Sequence, residues 1–111
     1  VKFVQDSIAA GKTISGWQVD DPVRASIAKA EYGKYFVHRT GHSIGTEVHA
    51  NGANMDNLEV HDKRRIIPNS CFSIEPGVYL EDFGVRSEVN MLVRHDSAEV
   101  TGRIQNEIVI I

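Results

Sequence analysis

Apolar positions along this chain change period partway through. Val1, Val4 and Ile8 recur at near-helical spacing and Gly11 follows as a stop, which predicts the last turns of a helix over 1–10. Val19, Val23, Ile27 and Ala30 form a second stripe. Ser15-Gly16-Trp17-Gln18 ahead of it has the form of a capping box, with Ser15 as N-cap and Gln18 at the third position. Pro22 offers two readings. Inside a helix it removes a hydrogen bond and kinks the axis; alternatively Asp20 or Asp21 caps a helix with Pro22 in its first turn. Both make 23–29 helical and let Gly33 end it, with Arg24, Lys29 and Glu31 on a solvated face. From residue 71 the period falls to two. The stretch 71–80, CFSIEPGVYL, reads as a mostly apolar strand, and Phe83-Gly84 as a turn. Over 85–93 the alternation puts Val85, Ser87, Val89, Met91 and Val93 on one side and Arg86, Glu88, Asn90 and Leu92 on the other. Residues 99–101 and 104–111 supply a last strand or two. The intervening 51–63 is a polar loop opened by the Asn51-Gly52 turn, with His61 as a solvated surface residue, and Ile66-Ile67-Pro68-Asn69 reads as a strand end and turn. Two helices followed by antiparallel strands define an α+β layer architecture, helices packed on an antiparallel sheet.

Composition narrows the class without changing that picture. The 111 residues suit one domain or part of one, and 41% hydrophobic with 24% charged content is ordinary for a globular chain. A net charge of −3 with scattered Lys and Arg makes no case for nucleic acid. No apolar run approaches the roughly 20 residues of a membrane span. The opening VKFVQDSIAA has neither an initiating Met nor a signal-peptide pattern, so 1–111 reads as a single fragment of a longer polypeptide. The lone Cys71 excludes an internal disulfide, is compatible with a reducing cytoplasm, and reads as a small buried core residue.

Candidate chemistry concentrates in HRTGHSIGTEVH, which holds His38, His42 and His49 within twelve residues. Imidazole is the commonest protein metal ligand and the usual general base near neutral pH. Gly41 interrupts any helix that would align His38 with His42, so a short strand ending in a loop is expected, with a strand resuming near Val48. Two glutamates occupy positions where carboxylates are costly: Glu75, between an apolar run and Pro76-Gly77, and Glu88, inside the alternating stretch. A carboxylate within a sheet is paired, hydrogen-bonded or bound to a cation. Arg86 shares a face with Glu88 and could orient it, or form a plain surface ion pair with it. His42, Glu75 and Glu88 make an N/O donor set that suits Mn, Co, Fe or Zn. A two-metal site needs more oxygen ligands than this chain offers.

HRTGHSIGTEVH, FSIEPGVY and FGVRSEV together resemble the metallopeptidase family of Xaa-Pro aminopeptidases, prolidases and methionine aminopeptidases, and the helical GKTISGWQVDDPVRASIAKAEYGKYF resembles the segment that precedes the family's HxxGH. The resemblance covers essentially the whole chain and favours the Xaa-Pro branch, through His38 and the order Arg86-Ser87-Glu88. It implies the C-terminal half of a pita-bread (creatinase/aminopeptidase) fold. It implies two divalent ions, manganese foremost and cobalt, zinc or iron as alternatives, and hydrolysis of the bond between an N-terminal residue and proline. By motif, His42, Glu75 and Glu88 correspond to metal ligands. His38 and His49 correspond to pocket histidines that bind substrate and help stabilise the transition state, and Arg86 to the residue that buttresses the last Glu. The implied partners are a proline-containing peptide and the other half of the domain; the family's pseudo-two-fold also admits a homodimer of fragments. No segment here matches the family's two Asp ligands, so the chain alone is expected to be inactive. Ala50-Asn51-Gly52 stands where Glu and Pro are common after the second His, and Ser87 and Val89 replace the usual Ile and Asp beside the last Glu.

Three rival readings bear on function. Pita-bread folds also serve as metal-free binding modules or as creatinase-like non-peptidase hydrolases, since fold does not fix function. Gly41-His42-Ser43-Ile44-Gly45 satisfies the G-x-S-x-G of serine hydrolases, with Ser43 as nucleophile, but that motif needs a strand before Ser43 and a helix after it. The H-x-x-x-H of zinc proteases fails here, because Arg39 stands in place of the required Glu.

Overall fold

The computed structural model describes residues 1–108. Helix α1 (Lys2–Ala9) ends where Gly11 turns to a φ of 67° and its N–H meets the Ile8 carbonyl at 2.9 Å. Helix α2 (Gly16–Lys29) starts at Ser15, whose N–H donates to the Gln18 side chain at 2.9 Å. The Ser15 hydroxyl donates to the Lys63 carbonyl at 3.1 Å and ties the helix start to the polar loop. The helix runs through Pro22, so neither Asp20 nor Asp21 is its cap. Of its apolar stripe, Val19 is buried, Val23 and Ile27 are half-buried and Ala30 is exposed.

Six strands follow: β1 (Ser43–Ile44), β2 (Cys71–Ile74), β3 (Gly77–Tyr79), β4 (Gly84–Arg86), β5 (Val89–Val93) and β6 (Ala98–Thr101). Four form an antiparallel sheet in the order β1-β2-β5-β6, and β3 with β4 forms a two-stranded ribbon. The single strands expected over 71–80 and 85–93 are therefore each split in two. The cause on the first arm is Pro76, which has no N–H to give to a ladder. The pairing continues in one register across the break. Ile74 faces Val89 on one side, Gly77 faces Arg86 on the other, and Ser87 N–H bridges the gap to the Pro76 carbonyl at 3.2 Å. That register sets Glu75 opposite Glu88.

Because the register is unbroken, the alternation of faces survives the gap. Phe72, Ile74, Met91 and Val93 join Val4, Ile8, Ile14, Val19, Met55 and Ile66 in one core cluster beneath the helices. Ser73, Glu75, Tyr79, Arg86, Glu88 and Asn90 fall on the other face. Cys71 shares that second face and is half-buried outside the core cluster, contrary to its reading as a core residue. Two further expectations are revised. No strand forms near Val48, where 45–49 is an exposed loop, and none forms over 104–108; residues 109–111 lie outside those described. Among the described residues, no helix is long and apolar enough to cross a membrane.

Candidate active site

The histidine stretch is held in place from α2. Asp20 is fully buried and accepts hydrogen bonds from the N–H groups of Thr40 at 2.9 Å and Asn57 at 3.0 Å. Arg24, one turn further along, pairs with the same carboxylate and donates to the carbonyls of His38 at 2.5 Å and Phe36 at 3.3 Å. Its guanidinium also lies 4.3 Å from the centre of the Phe36 ring. Arg24 is thus part of the site's support and not a solvated helix face. Gly41 then passes so close to β2 that a Cβ there would lie 1.8 Å from the Ser73 carbonyl oxygen. This close approach delivers His42 to the sheet beside Ser73 and Glu75.

His42 is buried. Its Nδ1 lies 3.1 Å from the Ser43 carbonyl oxygen, which can only accept, so Nδ1 carries the proton. Nε2 then faces Glu75 Oε1 at 3.2 Å. In neutral imidazole that nitrogen is an acceptor, and two acceptors at this range need a proton or a metal cation shared between them. A backbone carbonyl fixing the tautomer of a liganding histidine is the usual supporting arrangement at metal sites. The Glu75 carboxylate is gripped on both oxygens: the Ser73 hydroxyl donates to Oε1 at 3.0 Å, and Arg86 Nη1 lies 3.4 Å from Oε2.

A second chain of contacts leads away from Arg86. Its Nε donates to the Tyr79 hydroxyl oxygen at 2.8 Å, and that hydroxyl lies 3.0 Å from His38 Nε2. His38 Nδ1 lies 2.7 Å from the Arg39 carbonyl oxygen, so Nδ1 is the donor and Nε2 accepts the tyrosine proton. The Tyr79 contact, with the charges of Glu75 and Glu88 behind it, holds the Arg86 guanidinium above its ordinary pKa although partial burial opposes this. The His49 ring lies 4.2 Å from that of His42, tilted by 45°, from an exposed loop position.

Of the expected site residues, His42, Glu75, Arg86 and His38 are therefore linked through direct contacts and Tyr79, and His49 adjoins them. Glu88 is exposed and forms no ion pair or hydrogen bond among the described residues, and Arg86 grips Glu75 in its place. The donors suit a divalent cation in kind. They also suit one in spacing, since two ligand atoms each about 2.1 Å from one ion and near right angles lie about 3 Å apart. They fall short in number: the described residues contain no group of three His, Cys, Asp or Glu able to hold a metal. The Asn90 side-chain oxygen, at the strand position paired with Ser73, is buried with no partner, so this sheet face has unfilled polar capacity. Ser43 is buried, its hydroxyl takes the Gly52 N–H at 3.1 Å, and a loop follows β1, which removes the serine-nucleophile reading. His61 is exposed, as expected, against the Trp17 ring.

Three contributors escaped the sequence reading: Ser73, Tyr79 and the Asp20–Arg24 pair. The signals were present. Tyr79 and Ser73 share the strand parity of Glu75, and Asp20 and Arg24 are one helical turn apart beside buried Val19.

An imidazole and a carboxylate converging on one face of an antiparallel sheet, with two helices behind the other, place the chain with the pita-bread proteins. Solved structures agree. The X-Pro aminopeptidase from Thermotoga maritima superposes with a TM-score of 0.76 at 30% identity, over 88% of this chain and 27% of that one. A prolidase from Thermococcus sibiricus does so with a TM-score of 0.75 at 31% identity, over 97% and 29%. In sequence, the Xaa-Pro dipeptidase of Lactobacillus helveticus is 36% identical over 109 residues, which cover 96% of this chain and 28% of that protein. The chain belongs to metallopeptidase family M24, whose model matches residues 3–95. It spans between a quarter and a third of the length of these three relatives.

Proposed function

We propose that the protein carrying this chain is a cytoplasmic metallopeptidase that cleaves the bond between an N-terminal residue and proline. This chain is then the C-terminal half of its catalytic domain. The observation that carries the reading is the 3.2 Å approach of His42 Nε2 to Glu75 Oε1, two atoms that need a proton or a metal cation shared between them and whose spacing suits a metal. The facing positions of Glu75 and Glu88 support it, since like charges directly opposite in a sheet repel unless something positive joins them. The similarity to an Xaa-Pro dipeptidase and an X-Pro aminopeptidase supplies the substrate class.

In this reading His42, Glu75 and Glu88 hold two divalent ions, manganese first, together with ligands from the rest of the protein. Bound divalent metal supplies Lewis-acid polarisation of the scissile carbonyl and activation of water. This chain's residues do the rest of the positioning. Arg86 holds the Glu75 carboxylate in place. His38, set by Tyr79 and by the Arg24 contact to its carbonyl, and His49, beside His42, bind the peptide and help stabilise its transition state.

The test is metal analysis and peptide assay of the full-length protein with and without added manganese. The expected result is two equivalents of transition metal and cleavage confined to Xaa-Pro bonds. Glu75→Gln and Glu88→Gln should each lose activity by orders of magnitude. The isolated chain should be inactive on the same peptides. A metal-free, inactive full-length protein would leave a binding module instead, and turnover of a creatine-like amidine would point to a non-peptidase hydrolase.

A further inference from the structure

We propose that Ser73 is a positioning residue that fixes the separation of His42 from Glu75; the proposal rests on the metal-site reading above. Ser73 is wholly buried in β2, where a hydroxyl must be hydrogen-bonded to be tolerated. It is bonded on both sides. Its oxygen accepts the His42 N–H at 2.9 Å, and its proton goes to Glu75 Oε1 at 3.0 Å. The Ser73 N–H meanwhile donates to the His42 carbonyl at 2.9 Å. The ladder pair that would close through the Ser73 carbonyl therefore closes through its hydroxyl. A hydroxyl has one proton, and the 3.5 Å approach to the His42 carbonyl is too long to compete for it. One side chain thus connects the backbone that carries the imidazole to the carboxylate oxygen that faces that imidazole.

This arrangement does more than satisfy a buried hydroxyl. Oε1 is the oxygen that faces His42 Nε2, so the Ser73 proton occupies one of its lone pairs and leaves another directed at the imidazole. Arg86 restrains the opposite oxygen and cannot replace this contact. Alanine at 73 would leave the His42 N–H without its acceptor and Oε1 without its donor. The two strands would then be joined only through backbone, by the Ser73 N–H to the His42 carbonyl at 2.9 Å and the Glu75 N–H to the Thr40 carbonyl at 2.7 Å, with no side chain fixing the Glu75 oxygen against the imidazole.

The experiment is manganese titration by calorimetry on the full-length protein, with kcat and KM measured on an Xaa-Pro dipeptide. The variants are Ser73→Ala, Ser73→Thr and, as a benchmark, Glu75→Gln. Removal of a group that orients a metal ligand costs roughly 10–100-fold in metal affinity. Ser73→Ala should show such a loss, with kcat reduced at saturating manganese and KM little changed, and Ser73→Thr, which keeps the hydroxyl, should restore both. Should Ser73→Ala fail to fold, Ser73→Cys retains the volume with a weak donor and should show an intermediate loss. A folded Ser73→Ala or Ser73→Cys that binds manganese as tightly as the parent, while Glu75→Gln does not, overturns the role of Ser73 alone. Undiminished binding by Glu75→Gln as well overturns the metal-site reading and this proposal together.

Discussion

At Gly41 the backbone of the histidine stretch touches β2, with the Ser73 carbonyl oxygen 1.8 Å from where a Cβ would be. Gly41→Ala must push the two strands apart just ahead of His42. Overpacking of a close contact typically costs about 1–3 kcal/mol, occasionally more, and a backbone contact has no flexible side chain to yield. A urea melt of Gly41→Ala should show at least that loss, and its manganese affinity should fall because His42 moves with the strand. A second residue-scale test lies at Asp62. Burial alone would raise its pKa, but hydrogen bonds from the Arg64 side chain and from the backbone N–H groups of Asn54 and Arg64 outweigh this and hold it below its ordinary 3.8. A carboxyl lowered on folding contributes stability that is complete above the unfolded value and is lost as pH falls through the folded one. Stability should therefore decline as pH drops below about 4. In Asp62→Asn that acid limb should flatten, at the cost of lower stability at neutral pH. Most of the effect should come through the backbone bonds from Asn54 and Arg64, since the Arg64 side chain is 52% exposed and screened by water.

At the scale of elements, α2 is a structural helix with one functional turn. Asp20 accepts from the N–H groups of Thr40 and Asn57, and Arg24 donates to the carbonyls of Phe36 and His38, so one pair sets the path of the chain toward His42. Asp20→Ala would strand Arg24 and two backbone N–H groups. We expect a loss of about 2–3 kcal/mol, below the roughly 3–5 of a wholly buried pair because Arg24 keeps some solvent contact. Adding Arg24→Gln should cost less than the sum of the two single changes, which a double-mutant cycle would measure. This helix also marks what the sequence could reveal. Its start at Ser15 is a local pattern, since Gln18 reaches back three residues to the Ser15 N–H, and such signals are complete within one turn. The anchoring of Arg24 is not local: its carbonyl partners lie twelve and fourteen residues away and only the fold brings them near. The strands divide the same way. Alternation correctly assigned Arg86, Glu88 and Asn90 to one face, because parity depends only on register. The break between β2 and β3 was signalled by Pro76, but its effect on the opposite arm at Ser87 and Glu88 required knowing which strands pair.

At the scale of the molecule, the hairpin formed by β2–β3 and β4–β5 sets two carboxylates across from each other at the point where its ladder is interrupted. Glu75 is stabilised there by Ser73 and Arg86, while Glu88 is exposed and unpaired among the described residues. The sequence pointed to both glutamates as expensive positions; it could not show that they face each other, because that depends on a register spanning the gap. A structural glutamate and a liganding glutamate respond oppositely to metal. Without a cation, Glu88 only adds repulsion opposite Glu75. Glu88→Gln in the full-length protein should then melt at or above the parent temperature in the presence of a chelator. With saturating manganese the order should reverse, because a ligand that binds the folded state stabilises it in proportion to its affinity, and the variant binds it less well. Thermal melts in chelator and in manganese decide the matter. A Glu88→Gln variant that lowers both melting temperatures equally would make Glu88 a structural residue, and the cation between the strands would have to be held by Glu75, His42 and groups outside this chain.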